Sequence, residues 1–203
     1  MLTLRRMESR DKYTGEVIGE VAQDTRRDLR AKIHKAFQAK EAVRKTSFEE
    51  RAELGRRIAR RLEERRAEFE ELMIREGGQP RKFARWEMER AIASARTLDR
   101  RMELLQPREL PAASGRNILY REPYGVVGVL PPRNTPLVVP LYTMLAALGA
   151  GNAVVEKPAS LVPLIGQRIV QLVVEAGCPA DSAQFSTCPG EDAAWEFIEN
   201  PEV

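Results

Sequence analysis

Apolar positions follow two regimes along this chain of 203 residues. Up to about residue 105 they recur every three or four positions among charged residues, and from Val126 onward they gather into short unbroken runs. The first pattern predicts amphipathic helices; the second predicts fully buried strands alternating with buried helices. Near the start, the turn residues of 11–15 (DKYTG) precede a small edge strand over 16–21. Thr25 opens the first helix, with Asp28 three residues on as a partial capping box and Leu29, Ile33, Ala36, Phe37 and Val43 as its stripe. Ser47 and Glu50 form a full S-x-x-E box before a second helix. Its stripe is Phe48, Leu54, Ile58, Leu62, Phe69, Leu72 and Met73, and Gly77 and Gly78 end it. Pro80 opens a third helix, with Met88, Ile92, Ala95, Leu98, Met102 and Leu105 on one face and Pro107 closing it. Three narrow apolar faces must pack together and against whatever sheet follows, with Trp86 as the expected anchor.

Residues 106–116 are turn formers with little to bury and read as a linker. Beyond them 117–121 alternates, Ile118 and Tyr120 sharing one face of a half-exposed strand. The organising stretch is 122–164. A buried strand over 126–130 meets Pro131 and Pro132, an apolar helix over 137–148 stops at Gly149 and Gly151, and a second buried strand over 152–156 ends at Lys157 and Pro158. This is one βαβ unit. Pro163 then starts a helix carrying Leu164, Ile165, Ile169, Leu172 and Val173; 183–187 is a weak third strand, and 191–199 a last helix with Trp195 and Ile198. The predicted fold is α/β, with N-terminal helices packed on a parallel Rossmann-like sheet. It divides into a helical part (1–106), a linker with an exposed strand (107–124) and a βαβαβ part (125–203).

Charge modifies this picture little. The net +3 hides 29 Lys and Arg against 21 Asp and Glu in residues 1–120, and 4 against 9 in 121–203. Because the arginines alternate with glutamates, as in RRIARRLEERRAEFEE, they read as solvated helix faces, and no aromatic platform accompanies them. A nucleic-acid partner is therefore not expected. No apolar run reaches membrane-spanning length, and the charged start, MLTLRRMESRDKYTG, has no signal-peptide core, so the reading is a soluble cytoplasmic protein. Cys178 and Cys188 lie in no metal or redox spacing, His34 has no second ligand or acid partner nearby in sequence, and no metal is expected.

In an open α/β sheet ligands collect beyond the carboxyl ends of the strands. Asn134 and Lys157 follow two such ends. Singly, an Asn after a proline turn is a turn former and a Lys past a strand a solvated charge; their common edge is what singles them out. The wording PPRNTP, AALGAGNAVVEKPAS and EAGCPAD, in this order and spacing, resembles the amino-terminal, NAD(P)-binding portion of the aldehyde dehydrogenase superfamily.

That resemblance implies a set of roles. Backbone around Leu130, Pro131 and Pro132 would line a nicotinamide cofactor, NAD or NADP. Asn134 matches the asparagine whose amide donates to the oxygen of the thiohemiacetal, a fixed donor where charge develops. Lys157 matches the lysine on the adenosine-ribose hydroxyls, and Ser160 stands where many NAD-preferring members carry Glu, which leaves NADP admissible. Arg133 departs from the aromatic residue usual before the asparagine. The strand at 117–121 corresponds to a β-ribbon that builds subunit interfaces, implying a homo-oligomer. The family's general-base glutamate and nucleophilic cysteine have no counterpart here, and neither Cys178 nor Cys188 matches the nucleophile. The expectation is an N-terminal fragment of an aldehyde-oxidising enzyme, inactive without a C-terminal catalytic partner. The alternative is a non-catalytic oligomerising or binding module on the same scaffold.

Overall fold

The structure, a computed structural model, describes residues 6–203, so the first five residues of the charged amino-terminal stretch lie outside the described residues. It begins with a hairpin in which β1 (Arg6–Arg10) runs antiparallel to β2 (Val17–Ala22), with a register shift between Ser9 and Arg10. The Asp11 carboxylate closes the turn by accepting from the amides of Tyr13 and Thr14.

The sequence signals for α1 (Arg26–Arg44) and α2 (Phe48–Glu64) become reciprocal caps. Thr25 and Asp28, and likewise Ser47 and Glu50, exchange side-chain and backbone hydrogen bonds. The second predicted helix bends at Arg65, whose φ of −104° separates α2 from α3 (Arg66–Arg75). No Pro or Gly marks the bend. The Arg65 guanidinium instead reaches Glu68 and Glu175 across the turn, a tertiary cause invisible locally. The third predicted helix likewise divides at Thr97 into α4 (Arg81–Arg96) and α5 (Leu98–Met102), followed by a 3-10 turn over Glu103–Leu105. The Thr97 hydroxyl donates to the Ala93 carbonyl, back-bonding of the kind that bends helices.

Trp86 does not anchor the helical layer. It is 42% exposed and stacks on Phe83, while Ala84, Met88, Ala91, Ile92 and Ala95 form the buried face of α4. Phe69, Met73 and Met88 fill the positions expected of it. The linker is also more ordered than its composition suggests, because β3 (Arg108–Leu110) pairs antiparallel with β4 (Asn117–Leu119) in a separate two-stranded ribbon.

The parallel sheet has the order β5-β6-β7, with β5 (Val126–Val129) joined to β6 (Ala153–Glu156) through α6 (Val138–Gly149), and β6 to β7 (Ala183–Phe185) through α7 (Pro163–Glu175). The first strand is one residue shorter than predicted, since Leu130 has already left the ladder before the two prolines. Buried Asn152 ties the strand starts, accepting from the Gly125 amide and donating to the Ala147 carbonyl. After β7, α8 (Gly190–Glu199) crosses to the face covered by α1, where Arg26 and Arg30 hold Glu196. Its Phe197 ring lies over Gly128 of β5, so close that a Cβ there would be 2.7 Å from the ring. The chain has thus turned back across the sheet face to pack over its first strand. One core joins the sheet, α1, α6 and α7 to the helical layer, and no helix among the described residues is long and apolar enough to cross a membrane.

Candidate functional site

Val129, Glu156 and Phe185 end their strands in register, so the segments after them emerge on one edge. From β5 come Leu130, half exposed, Pro131, and the exposed Pro132, Arg133 and Asn134. From β6 comes Lys157, whose amide donates to the Val129 carbonyl at 2.9 Å. From β7 come Ser186, Thr187 and Cys188, all buried.

Lys157 is 5% exposed, yet among the described residues its ammonium finds only the Ser160 hydroxyl, at 3.3 Å. Burial holds its pKa below the ordinary lysine range, partly countered by nearby Cys188. A Cβ on Gly190 would stand 3.8 Å from Nζ, so the ammonium faces the first turn of α8. Ser160 itself is exposed.

The amino ends of the three helices at this edge are treated differently. Glu87 of α4, fully buried, accepts from the amides of Leu137 and Val138 at 2.7 and 2.9 Å and so caps α6. Glu76, also fully buried, accepts from Leu164 and Ile165 and caps α7, with Ser9 donating to it as well; desolvation pushes its pKa up against these bonds. Carboxylates at helix amino ends complement the dipole and its orphan donors. Among the described residues α8 has no side-chain cap; its first turn carries Glu191 and Asp192, and the Lys157 ammonium faces it at Gly190.

Asn134 lies in the turn between β5 and α6. Its carbonyl accepts from Gln79 Nε2 at 3.0 Å, and the same nitrogen donates to Glu87 at 2.6 Å. Gln79 and Glu87 were not singled out by the sequence reading. A signal was available for Glu87, an acid on the apolar face of α4 between Ala84 and Met88. No such signal marks Gln79.

The cysteines are remote from nucleophilic chemistry. Both are buried, and burial raises both thiol pKa values, that of Cys188 to about 11 with Asp192 and Asp24 adding to the effect. At neutral pH each is a thiol. His34 is exposed, and its Nδ1 lies 2.9 Å from Glu202, an acid partner 168 residues away that the local sequence does not show. A cleft of about 620 Å³ lined by Arg27, Arg30, His34 and Glu196 opens beside α1 and α8, and it shares no residue with the Asn134–Lys157 edge. Among the described residues no group of three His, Cys, Asp or Glu is arranged to hold a metal.

The sequence profile described as "Aldehyde dehydrogenase family" matches residues 2–203. The chain is 32% identical over 187 residues to the alpha-ketoglutarate semialdehyde dehydrogenase of Haloferax volcanii, covering 91% of the chain and 39% of that protein. Among solved structures, an NAD-dependent benzaldehyde dehydrogenase from Corynebacterium glutamicum superposes with a TM-score of 0.88 at 31% identity, over 96% of the chain and 43% of its own. The glyceraldehyde-3-phosphate dehydrogenase of Methanocaldococcus jannaschii, complexed with NADP, gives 0.92 at 25% identity over 100% and 45%. The chain spans about two fifths of the length of these relatives.

Proposed function

Because the chain belongs to the aldehyde dehydrogenase family, we propose that it is the cofactor-binding portion of an NAD(P)-dependent enzyme that oxidises an aldehyde to a carboxylic acid. The observation that carries this reading is Lys157: a buried ammonium at a strand's carboxyl end which, among the described residues, has one weak partner and faces a helix end without a side-chain cap. An ammonium with unspent donors and an adjacent hydroxyl suit a pair of ribose hydroxyls, and Gly190 leaves room beside them. Lys157 and Ser160 would hold the adenosine ribose, and backbone at Leu130, Pro131 and Pro132 would line the nicotinamide. The bound nicotinamide ring supplies the hydride acceptor. The Asn134 amide would donate to the oxygen on which charge develops, and its side chain is exposed for that purpose.

The thiolate that begins such chemistry is not offered by this stretch, whose two thiols are buried and protonated at neutral pH. We therefore assign these residues to cofactor binding and oxyanion donation, with the nucleophile and general base supplied by a catalytic portion. The division at 107–124 and 125–203 follows the same logic: ribbon for assembly, sheet for dinucleotide. Free buried cysteines accord with a reducing, cytoplasmic compartment.

Titrating the chain with NAD and with NADP, followed by the fluorescence of Trp86 and Trp195, tests the reading. Saturable binding is expected, weakened about ten- to hundredfold in Lys157→Ala, with no reduced cofactor formed from any aldehyde by the chain alone. With Ser160 in place of an acid, NADP should not be rejected. Binding of neither dinucleotide would favour the non-catalytic oligomerising module instead.

A further inference from the structure

The Asn134 turn is exposed, carries two prolines, and depends for its placement on residues far away in sequence. Glu87 spans two jobs at once: Oε1 takes the Leu137 and Val138 amides, while Oε2 takes Gln79 Nε2. Gln79 is 6% exposed and is itself set by Gly78, whose φ of +69° turns the chain after α3, and by its own amide bonding the Met73 carbonyl. Its Nε2 donates both to Glu87 and to the Asn134 carbonyl, and its Oε1 is buried without a partner among the described residues. A buried acceptor left unpaired is unfavourable, so the orientation of Gln79 is dictated by the two acceptors facing Nε2.

We propose that Gln79 and Glu87 are positioning residues that together aim the Asn134 amide: Glu87 fixes the start of α6, and Gln79 fixes the carbonyl of Asn134 itself. This rests on the reading of Asn134 as the oxyanion donor. Their division of labour is separable. Glu87 alone would anchor the helix, but three residues of turn precede its first bonded amide, and Gln79 removes that freedom. A donor aimed in advance avoids reorganisation when charge develops, and small displacements of such a group are costly.

Exchanging the pair, Gln79→Glu with Glu87→Gln, provides the test in the full 203-residue chain. The exchanged pair keeps its own hydrogen bond, and Gln at 87 still offers an oxygen to Leu137 and Val138. The carboxylate at 79, however, has no proton to give the Asn134 carbonyl. Expected by NMR is unchanged exchange protection at Leu137 and Val138, with the backbone order parameter of Asn134 falling from about 0.85 toward 0.6. An Asn134 as ordered as in the parent would overturn the assignment and reduce the brace to a helix cap. If the exchanged pair does not fold, Gln79→Met serves, with loss of order at 134 supporting the assignment and retained order overturning it. Dinucleotide titration of the parent chain keeps the two ideas distinct: absent binding removes the cofactor reading, whereas unchanged order at 134 removes only the brace.

Discussion

The least expected single residue is Glu156, the last residue of β6, which is fully buried with neither carboxyl oxygen hydrogen-bonded among the described residues. It turns toward α7, where a Cβ on Gly166 would be 3.4 Å from Oε1, while its neighbour Lys157 turns to the opposite face. Desolvation alone pushes its pKa from 4.5 to about 8. Because the folded pKa is raised, the associated stability is fully present below about 4.5 and is lost as pH rises to about 8. Replacing the acid by its neutral isostere in Glu156→Gln should change stability little at pH 5 and stabilise the chain by a few kcal/mol, about 2 to 5, at pH 8.5. Urea unfolding at the two pH values measures this. An equal difference at both would show that the carboxyl reaches water or a partner. At the other extreme Glu196, clasped by Arg30 and Arg26, is held down to about 2, so its contribution persists until strongly acid pH and cannot mimic the effect.

Among elements, the helices were legible where their causes are local. Both capping boxes, the stripes of α1 and α2, and Pro163 at the start of α7 are signals within a few residues, and each acts as read. Ser47→Ala should therefore cost about 1 kcal/mol by thermal melting. The bends at Arg65 and Thr97 and the strand β3 carry no Pro or Gly signal of the usual kind. The first is held by Arg65 reaching Glu175 far along the chain, the second is a back-bond from the Thr97 hydroxyl to Ala93, and β3 depends on its partner strand across the linker. The site divides the same way. Its edge follows from strand, turn and helix wording, whereas the brace joins Gln79 to Asn134 across 55 residues and Glu87 to Leu137 across 50. Trp86 is exposed despite its size because α4 presents alanines and Met88 inward. Small residues also set the helix spacing. A Cβ on Gly55 of α2 would lie 2.6 Å from the Ala95 carbonyl and 2.9 Å from Leu98 Cβ, and backbone cannot yield as a side-chain tip can. Gly55→Ala should thus lose about 1 to 3 kcal/mol despite the better helix propensity of alanine. A rise in the melting temperature would mean that α2 and α4 separate without cost.

At the scale of the whole molecule, the β3–β4 ribbon stands apart from the parallel sheet, with three residue pairs of its own. A two-stranded ribbon of this length is marginal alone, and its open edges invite another strand. Around it Leu104, Ile118, Tyr120 and Tyr124 are 74%, 41%, 61% and 97% exposed, a concentration of apolar side chains on one short segment. Within the ribbon Arg116 pairs with Glu109 at 3.1 and 3.0 Å. The helical layer differs: its exposed faces are laced with Arg–Glu pairs such as Arg56–Glu53 and Arg60–Glu53. Self-association through the ribbon would bury this surface, in line with the interface role that the resemblance implies. Sedimentation of the chain should give a species heavier than the 22.9 kDa monomer, and Ile118→Lys with Tyr120→Glu should return it to monomer with unchanged circular dichroism, since neither side chain enters the core. A parent chain monomeric at every concentration would leave the ribbon to cover a different surface, that of the catalytic portion.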